Sequence, residues 1–200
     1  MIKPITHNFR RAHTRRSRTD TIVIHHSDSH DASSAEIHRW HLNRKPPFYG
    51  IGYHYVIRAN GSIETGRPDW SIGAHAGASI NGSSVGICLT GRFMHHPPTL
   101  QQMRALKWLI KHLKDKYGEL KVTGHKEHMS TSCPGALFPW GELEEEEVEK
   151  VKVYLDGALL PEEGLLLNGR SYLPVRALAG TRYQIERWDG STKTVYLRSV

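Results

Sequence analysis

Three side chains that commonly bind transition metals lie far apart in this sequence, so they can act together only if the fold brings them together. His25 ends an apolar run rich in β-branched residues, and His125 and Cys133 lie about a hundred residues further along. Imidazole and thiolate suit zinc, and three protein ligands leave a fourth position open for water, as in catalytic zinc sites. The sequence therefore predicts a buried strand whose end meets a distant loop, and it points to metal-assisted hydrolysis.

Other interpretations of these residues remain open. Cys133 could be a nucleophile without metal, in which case it needs a base such as His125. A closed structural zinc site needs a fourth ligand, which His26 or His128 could supply. Cys88, inside an apolar run, is most simply a small core residue.

Composition sets the class of protein. The chain has 200 residues, 38% of them hydrophobic and 24% charged, which predicts a globular domain with a small appendage. No apolar run approaches the roughly 18 residues that a membrane helix needs, so we expect no membrane span. Two cysteines are too few for a disulfide framework. Residues 1–18 are basic but no apolar stretch follows them, so we expect no signal peptide and synthesis in the cytoplasm.

The net charge of +7 is unevenly distributed. Residues 1–18 contain arginine and lysine but no acidic residue, whereas residues 142–149 are rich in glutamate. A basic surface favours polyanions such as nucleic acid, anionic membranes or anionic wall polymers. Charge alone does not choose among these partners.

Helices and strands alternate along the first 140 residues. Residues 33–36 form a capping-box pattern that begins a helix, and the Asn60-Gly61 pair predicts a hairpin. Apolar residues at helical spacing over residues 99–117 predict a longer helix ended by Gly118. Strands are predicted at residues 21–26, 53–58, 63–64, 84–89 and 121–123. The fold class is therefore α/β, with a mixed central sheet flanked by helices.

The pattern of predicted elements changes after the glutamate-rich segment. Strands are predicted at residues 151–155, 165–167, 183–188 and 194–197, with turns at 156–157 and 168–169 and a short helix starting near Tyr172. We thus predict four segments: a basic arm (1–18), a catalytic domain (19–141), an acidic linker (142–150) and a small α+β module (151–200).

Six motifs occur in a characteristic order in the first part of the chain. They are residues 22–27, 52–57, 61–67, 73–77, 81–89 and 124–135. Together they resemble the zinc-dependent N-acetylmuramoyl-L-alanine amidase family, which includes phage lysins and peptidoglycan recognition proteins. The resemblance covers residues 19–140. It implies hydrolysis of the amide bond between N-acetylmuramic acid and the L-alanine of the stem peptide, with one Zn²⁺ per chain.

The resemblance also implies roles for individual residues. His25, His125 and Cys133 would bind the zinc, and Tyr53 would be the catalytic tyrosine. The position two before the cysteine, often lysine in phage enzymes and often threonine in recognition proteins, is Thr131 here. Its hydroxyl is a weaker electrostatic stabiliser of an oxyanion than an ammonium group would be.

Four further residues are candidates for the same cleft. His75 and Asn81, on a glycine-rich loop, could hold the glycan or the peptide, although solvated loop residues would account for them equally well. Glu64 and His26 could support the zinc ligands without binding metal themselves, and a structural role is open for each.

The C-terminal segment resembles the small stalk module named after the N-terminal domain of copper amine oxidase, which implies a wall-targeting role and no copper. The leading hypothesis is a phage or prophage endolysin that acts on the cell wall after holin-type release. A non-catalytic peptidoglycan-binding protein and a cytoplasmic amidase that recycles muropeptides are the alternatives. The expected partner is bacterial peptidoglycan, with anionic wall polymers on the basic arm or the C-terminal module, and no nucleic acid.

Overall fold

The structure, a computed structural model, describes residues 2–143, 149–161, 163–167, 170–173 and 182–200. The chain divides into two compact units, Met1–Leu143 and Glu144–Val200. No helix in the described ranges is both long enough and apolar enough to cross a bilayer.

The first unit is built on a six-stranded sheet. Its strands are β1 (Ile2–Lys3), β2 (Thr21–His26), β3 (Tyr55–Ile57), β4 (Ile63–Thr65), β5 (Ser84–Leu89) and β6 (Lys121–Gly124), and its helices are α1 (Ser34–Asn43), α2 (Ala78–Asn81) and α3 (Leu100–Tyr117). The strand order is β1-β4-β3-β5-β2-β6. Only the β3–β4 hairpin pair is antiparallel, which confirms the predicted mixed sheet flanked by helices.

Strand β2 lies near the centre of this sheet and is buried along its whole length. Successive side chains of a strand point to opposite faces. Ile22 and Ile24 therefore join the larger core, which α3 covers. His25 points to the other face, in register with Cys88 of β5, which packs there in a smaller core. Strand periodicity thus assigns His25 and His26 to different environments.

Both main helices begin with a capping box, which was predicted for α1 and not for α3. Ser33 and Glu36 form a reciprocal capping box at α1, and Thr99 starts α3 in the same way. Helix α3 ends at Gly118, whose φ of 85° is one that L side chains rarely adopt. Trp40, on α1, is 39% exposed, whereas Ile37 on the same helix is buried.

Residues 2–18 pack against the first unit. Strand β1 pairs with β4, the Arg10 amide donates to the Tyr49 carbonyl at 2.8 Å, and the Ile72 amide donates to the Thr14 carbonyl at 2.8 Å. Arg16 is buried and donates to the backbone oxygens of Ser71 and Asp69. These main-chain contacts fix the course of the basic segment.

The second unit contains a separate sheet. Its strands are β7 (Glu149–Leu155), β8 (Ala158–Leu159), β9 (Gly164–Leu167), β10 (Arg170–Tyr172), β11 (Tyr183–Asp189) and β12 (Thr194–Ser199), in the order β10-β9-β7-β12-β11 with β8 beside β7. Val151, Val153, Val195 and Leu197 form its core. Three predicted features lie outside the described residues. They are most of the acidic run (residues 144–148), the turn at residues 168–169, and most of the predicted helix, which falls within residues 174–181.

Candidate metal centre

The three candidate zinc ligands converge at one end of the first sheet. His25 lies at the end of β2, His125 follows the neighbouring strand β6, and Cys133 lies on the loop beyond. Each offers a ligand atom, and these atoms lie within 4.8 Å of one another. Nδ1 of His25 is 3.8 Å from Sγ of Cys133. Nε2 of His125 is buried and has no hydrogen-bond partner among the described residues. An unpaired buried nitrogen beside an imidazole and a thiol fits a metal ion.

Burial keeps the two histidines neutral, which is the form that binds metal. It lowers the pKa of His25 well below its usual value, and His125 lowers it further. The pKa of His125 is lowered by burial and then by His128 and His26. Burial raises the pKa of Cys133 to about 11, against the effect of the His26 amide, so without a metal the thiol stays protonated near neutral pH. Cys133 is therefore poorly suited to act as an unassisted nucleophile.

The main chain and side chain of His26 have separate roles. Its amide donates to the Cys133 sulfur at 3.3 Å, which stabilises a thiolate there. Its ring lies on the opposite face of the sheet and accepts from the Phe93 amide at 3.2 Å. His128, the other candidate for a fourth ligand, is paired through Nε2 with Thr123 Oγ1 at 2.8 Å. In the described part of the chain the group of residues that could hold a metal ion consists of His25, His125 and Cys133.

His75, predicted to contact substrate, lies directly behind His25. Its Nδ1 is 3.0 Å from Nε2 of His25, and both side chains are buried. When Nδ1 of His25, which faces Cys133, binds a metal, the His25 proton lies on Nε2 and can be donated to Nδ1 of His75. Gly86 of β5 makes room for this ring, because a Cβ at residue 86 would lie 2.6 Å from the ring carbons of His75. The pair fixes both the tautomer and the orientation of His25.

A cleft of about 480 Å³ opens at this centre. Its lining residues are His41, Arg44, Phe48, Tyr53, Ala74, His75, Gly77, Asn81, His125 and Met129. Asn81, predicted to bind substrate, also has a local role: its side-chain oxygen accepts from the amides of His75 and Ala76 at 3.0 and 2.9 Å. It therefore holds the loop that carries His75.

Tyr53 forms part of the wall of the cleft beside the candidate ligands. Its ring centroid is 5.0 Å from that of His25, and it packs against the smaller core that contains Cys88. Burial raises the pKa of Tyr53 well above its usual value, and Cys88 and Cys133 raise it further. The phenol therefore keeps its proton and acts as a donor.

Two other predicted site residues differ in their surroundings. Thr131 is exposed, and its hydroxyl oxygen accepts from the Cys133 amide at 3.3 Å, so it braces the ligand loop. Glu64 is buried and accepts from the Ser34 amide at 2.7 Å and from Arg58 at 3.3 Å. The structure does not bring Glu64 into contact with the three candidate ligands.

Three residues in the wall of the cleft were not among the predicted site residues. His41, on α1, accepts from the Gly52 amide at 2.9 Å, and its pKa is lowered to about 4, first by burial and then by Arg44. Arg44 stacks on Phe48, with its guanidinium carbon 4.1 Å from the ring centroid. His41 comes four residues after the buried Ile37 and so shares its face of α1, which is the signal in the sequence that His41 points inward.

Comparisons with known proteins agree on one family. A family model described as N-acetylmuramoyl-L-alanine amidase matches residues 15–136. The endolysin of Klebsiella phage KP32 is 33% identical over 141 residues, covering 66% of this chain and 91% of that protein. The endolysin of Escherichia phage T7 is 32% identical over 139 residues, covering 65% and 90%. The solved structure of the N-acetylmuramoyl-L-alanine amidase LysC from Clostridium intestinale URNW superposes with a TM-score of 0.68 at 32% identity, covering 72% of this chain and 95% of that one. With more than half of its length matched by the family model, the chain belongs to the N-acetylmuramoyl-L-alanine amidase family.

Proposed function

We propose that this protein hydrolyses the amide bond between N-acetylmuramic acid and L-alanine in peptidoglycan, and that the reaction depends on one zinc ion. The observation that carries the proposal is the convergence of His25, His125 and Cys133 at the end of a cleft. Membership of the amidase family and the similarity to phage endolysins support peptidoglycan as the substrate.

Each residue of the centre has a chemical task in this proposal. His25, His125 and Cys133 would hold the zinc, which when bound supplies a Lewis acid that polarises a carbonyl and activates water. His75 holds His25 in the tautomer that leaves Nδ1 free. The phenol of Tyr53 holds a proton beside the cleft, from which it can donate to developing negative charge or to the leaving amine. Thr131 orients the ligand loop and offers its hydroxyl proton to the same region.

The biological setting follows from the relatives. Because the compared phage proteins are endolysins, we propose that this enzyme is lytic and reaches the cell wall after holin-type release. The second unit, which has a core of its own, is proposed to dock the enzyme on the wall.

The product of the reaction tests the proposal. Purified peptidoglycan is incubated with the zinc-loaded protein and with Cys133→Ser and His125→Ala variants, and new amino termini are identified. Release of L-alanine amino termini by the wild type alone is the expected result. Zinc-loaded protein that binds peptidoglycan and releases no new amino termini would indicate a recognition protein and overturn the proposal.

A further inference from the structure

Four arginines lie at or beside two neighbouring clefts of the first unit, and we call them the arginine row: Arg11 and Arg67 line one cleft, Arg44 lines the other, and Arg15 follows the lining residue Thr14. Arg11 stacks over the Tyr49 ring at 4.0 Å, and Arg15 stacks over the Trp70 ring at 4.9 Å. Main-chain pairing fixes both: Arg10 bonds to the Tyr49 carbonyl, and Arg15 bridges to Ser71. In the part of the chain that the structure describes, neither Arg11 nor Arg15 has a carboxylate partner, so their N–H groups are available to a ligand.

The first of these clefts has a volume of about 310 Å³. Arg11, His13, Tyr49 and Arg67 are among its lining residues. Arg67 donates to the Ile51 and Ile72 carbonyls at 2.7 and 2.8 Å, and it forms no ion pair with any described carboxylate. A half-buried guanidinium balanced only by carbonyl dipoles gives the cleft a positive field.

The row is continuous with the catalytic cleft. Ala74 lines both the 310 Å³ cleft and the 480 Å³ cleft. Phe48, in the wall of the larger cleft, directly precedes Tyr49 and is itself covered by Arg44. A polymer bound along the row would therefore extend to the cleft where hydrolysis is proposed.

We propose that this arginine row, defined as Arg11, Arg15, Arg44 and Arg67, binds the phosphate groups of a phosphodiester polymer of the cell envelope. The positive charge of this surface favours binding of a polyanion, and the planar guanidinium group matches the geometry of phosphate oxygens. A guanidinium already stacks on Tyr49 and on Trp70, so these rings are less open to stacking with nucleic-acid bases. The choice of an envelope polymer rests on the proposed function, because the row adjoins the cleft where the wall would be cut.

Binding of purified poly(glycerol phosphate) to the full chain tests the inference. The test variant is Arg11→Gln/Arg15→Gln, and the matched control is Arg104→Gln/Lys107→Gln, which removes the same charge from exposed positions of α3. We expect the test variant to bind about tenfold more weakly, with the slope of log affinity against log salt reduced by about two. The control should bind within about twofold of the wild type, since only net charge changes.

Three results would overturn the inference: absence of polymer binding, equal losses in both variants, or duplex DNA bound as tightly as poly(glycerol phosphate). The last would make the row a nucleic-acid interface. Binding is measured without turnover, and hydrolysis of polymer-free peptidoglycan is measured separately on the same variants. A failure of this inference is therefore distinguishable from a failure of the amidase proposal.

Discussion

The contact between His25 and His75 gives a sharp prediction about metal affinity. In the His75→Ala variant the buried Nε2–H of His25 loses its acceptor, which lies at 3.0 Å in the wild type. An unpaired buried donor costs about 1–3 kcal/mol, and the loss of a group that orients a metal-binding histidine typically costs about 10–100-fold in affinity. A tenfold change corresponds to about 1.4 kcal/mol, so the two estimates agree. We therefore expect zinc affinity to fall about 10–100-fold.

A second variant disturbs the same contact without removing His75. In Gly86→Ala the new Cβ would lie 2.6 Å from ring carbons of His75, so the ring must shift away from its present position. Gly82→Ala is the matched control, because nothing lies within 4 Å of a Cβ at residue 82.

Competition with a chromophoric chelator near neutral pH measures zinc affinity for all three variants. The reasoning predicts weaker zinc binding for His75→Ala and Gly86→Ala and an unchanged value for Gly82→Ala. Losses below about threefold in both test variants would refute it, since they fall outside the range expected for an orienting group.

Three further predictions concern stability and catalysis. The Asp31 carboxylate accepts hydrogen bonds from Arg58, and this contact is the chief reason that the pKa of Asp31 is lowered to about 2. The stability that Asp31 contributes is therefore present above pH ~4 and is lost as the pH falls through about 2. Asp31→Asn should lower the free energy of unfolding by about 0.5–1 kcal/mol at neutral pH, because Asp31 is exposed and solvent screens its contact with Arg58, and the difference should vanish towards pH ~2 in urea titrations; a constant difference would contradict this. Leu106→Ala should cost about 2–5 kcal/mol because Leu106 is fully buried, whereas Leu100→Ala, at a residue 59% exposed on the same helix, should cost far less in the same titrations. Tyr53→Phe should lower kcat by about 10²–10⁴-fold and leave zinc content unchanged by metal analysis, because the phenol donates a proton and binds no metal; an unchanged kcat would remove that role.

Local patterns in the sequence were enough to predict most of the first unit. The capping box at Ser33 and the helix end at Gly118 are determined by neighbouring residues, and both occur as predicted. The Thr99–Gln102 box at the start of α3 is equally local, but it was not predicted. The buried strand β2 could be predicted for the same reason. Strand alternation then places the side chains of His25 and His26 on opposite faces of the sheet. Residue types singled out His125 and Cys133 as candidate ligands together with His25, and the family resemblance assigned all three to one zinc site; no local pattern connects the distant loop to β2.

What the sequence did not reveal depends on contacts between distant residues. His75 lies fifty positions from His25, and only the pairing of β2 with β5 and the space at Gly86 bring the two rings together. The course of residues 2–18 depends on main-chain bonds to segments near Tyr49 and Trp70, which composition does not encode. Long-range main-chain pairing of this kind has no periodic signature in the sequence.

Titration of zinc into chelator-treated protein, with amidase activity measured at each point, tests the central claim most directly. The account predicts that activity on peptidoglycan returns in proportion to zinc and reaches its plateau at one equivalent per chain, and that Cys133→Ser neither binds that equivalent tightly nor regains activity. Full activity in the metal-free protein, or one tightly bound zinc with no hydrolysis, would contradict it.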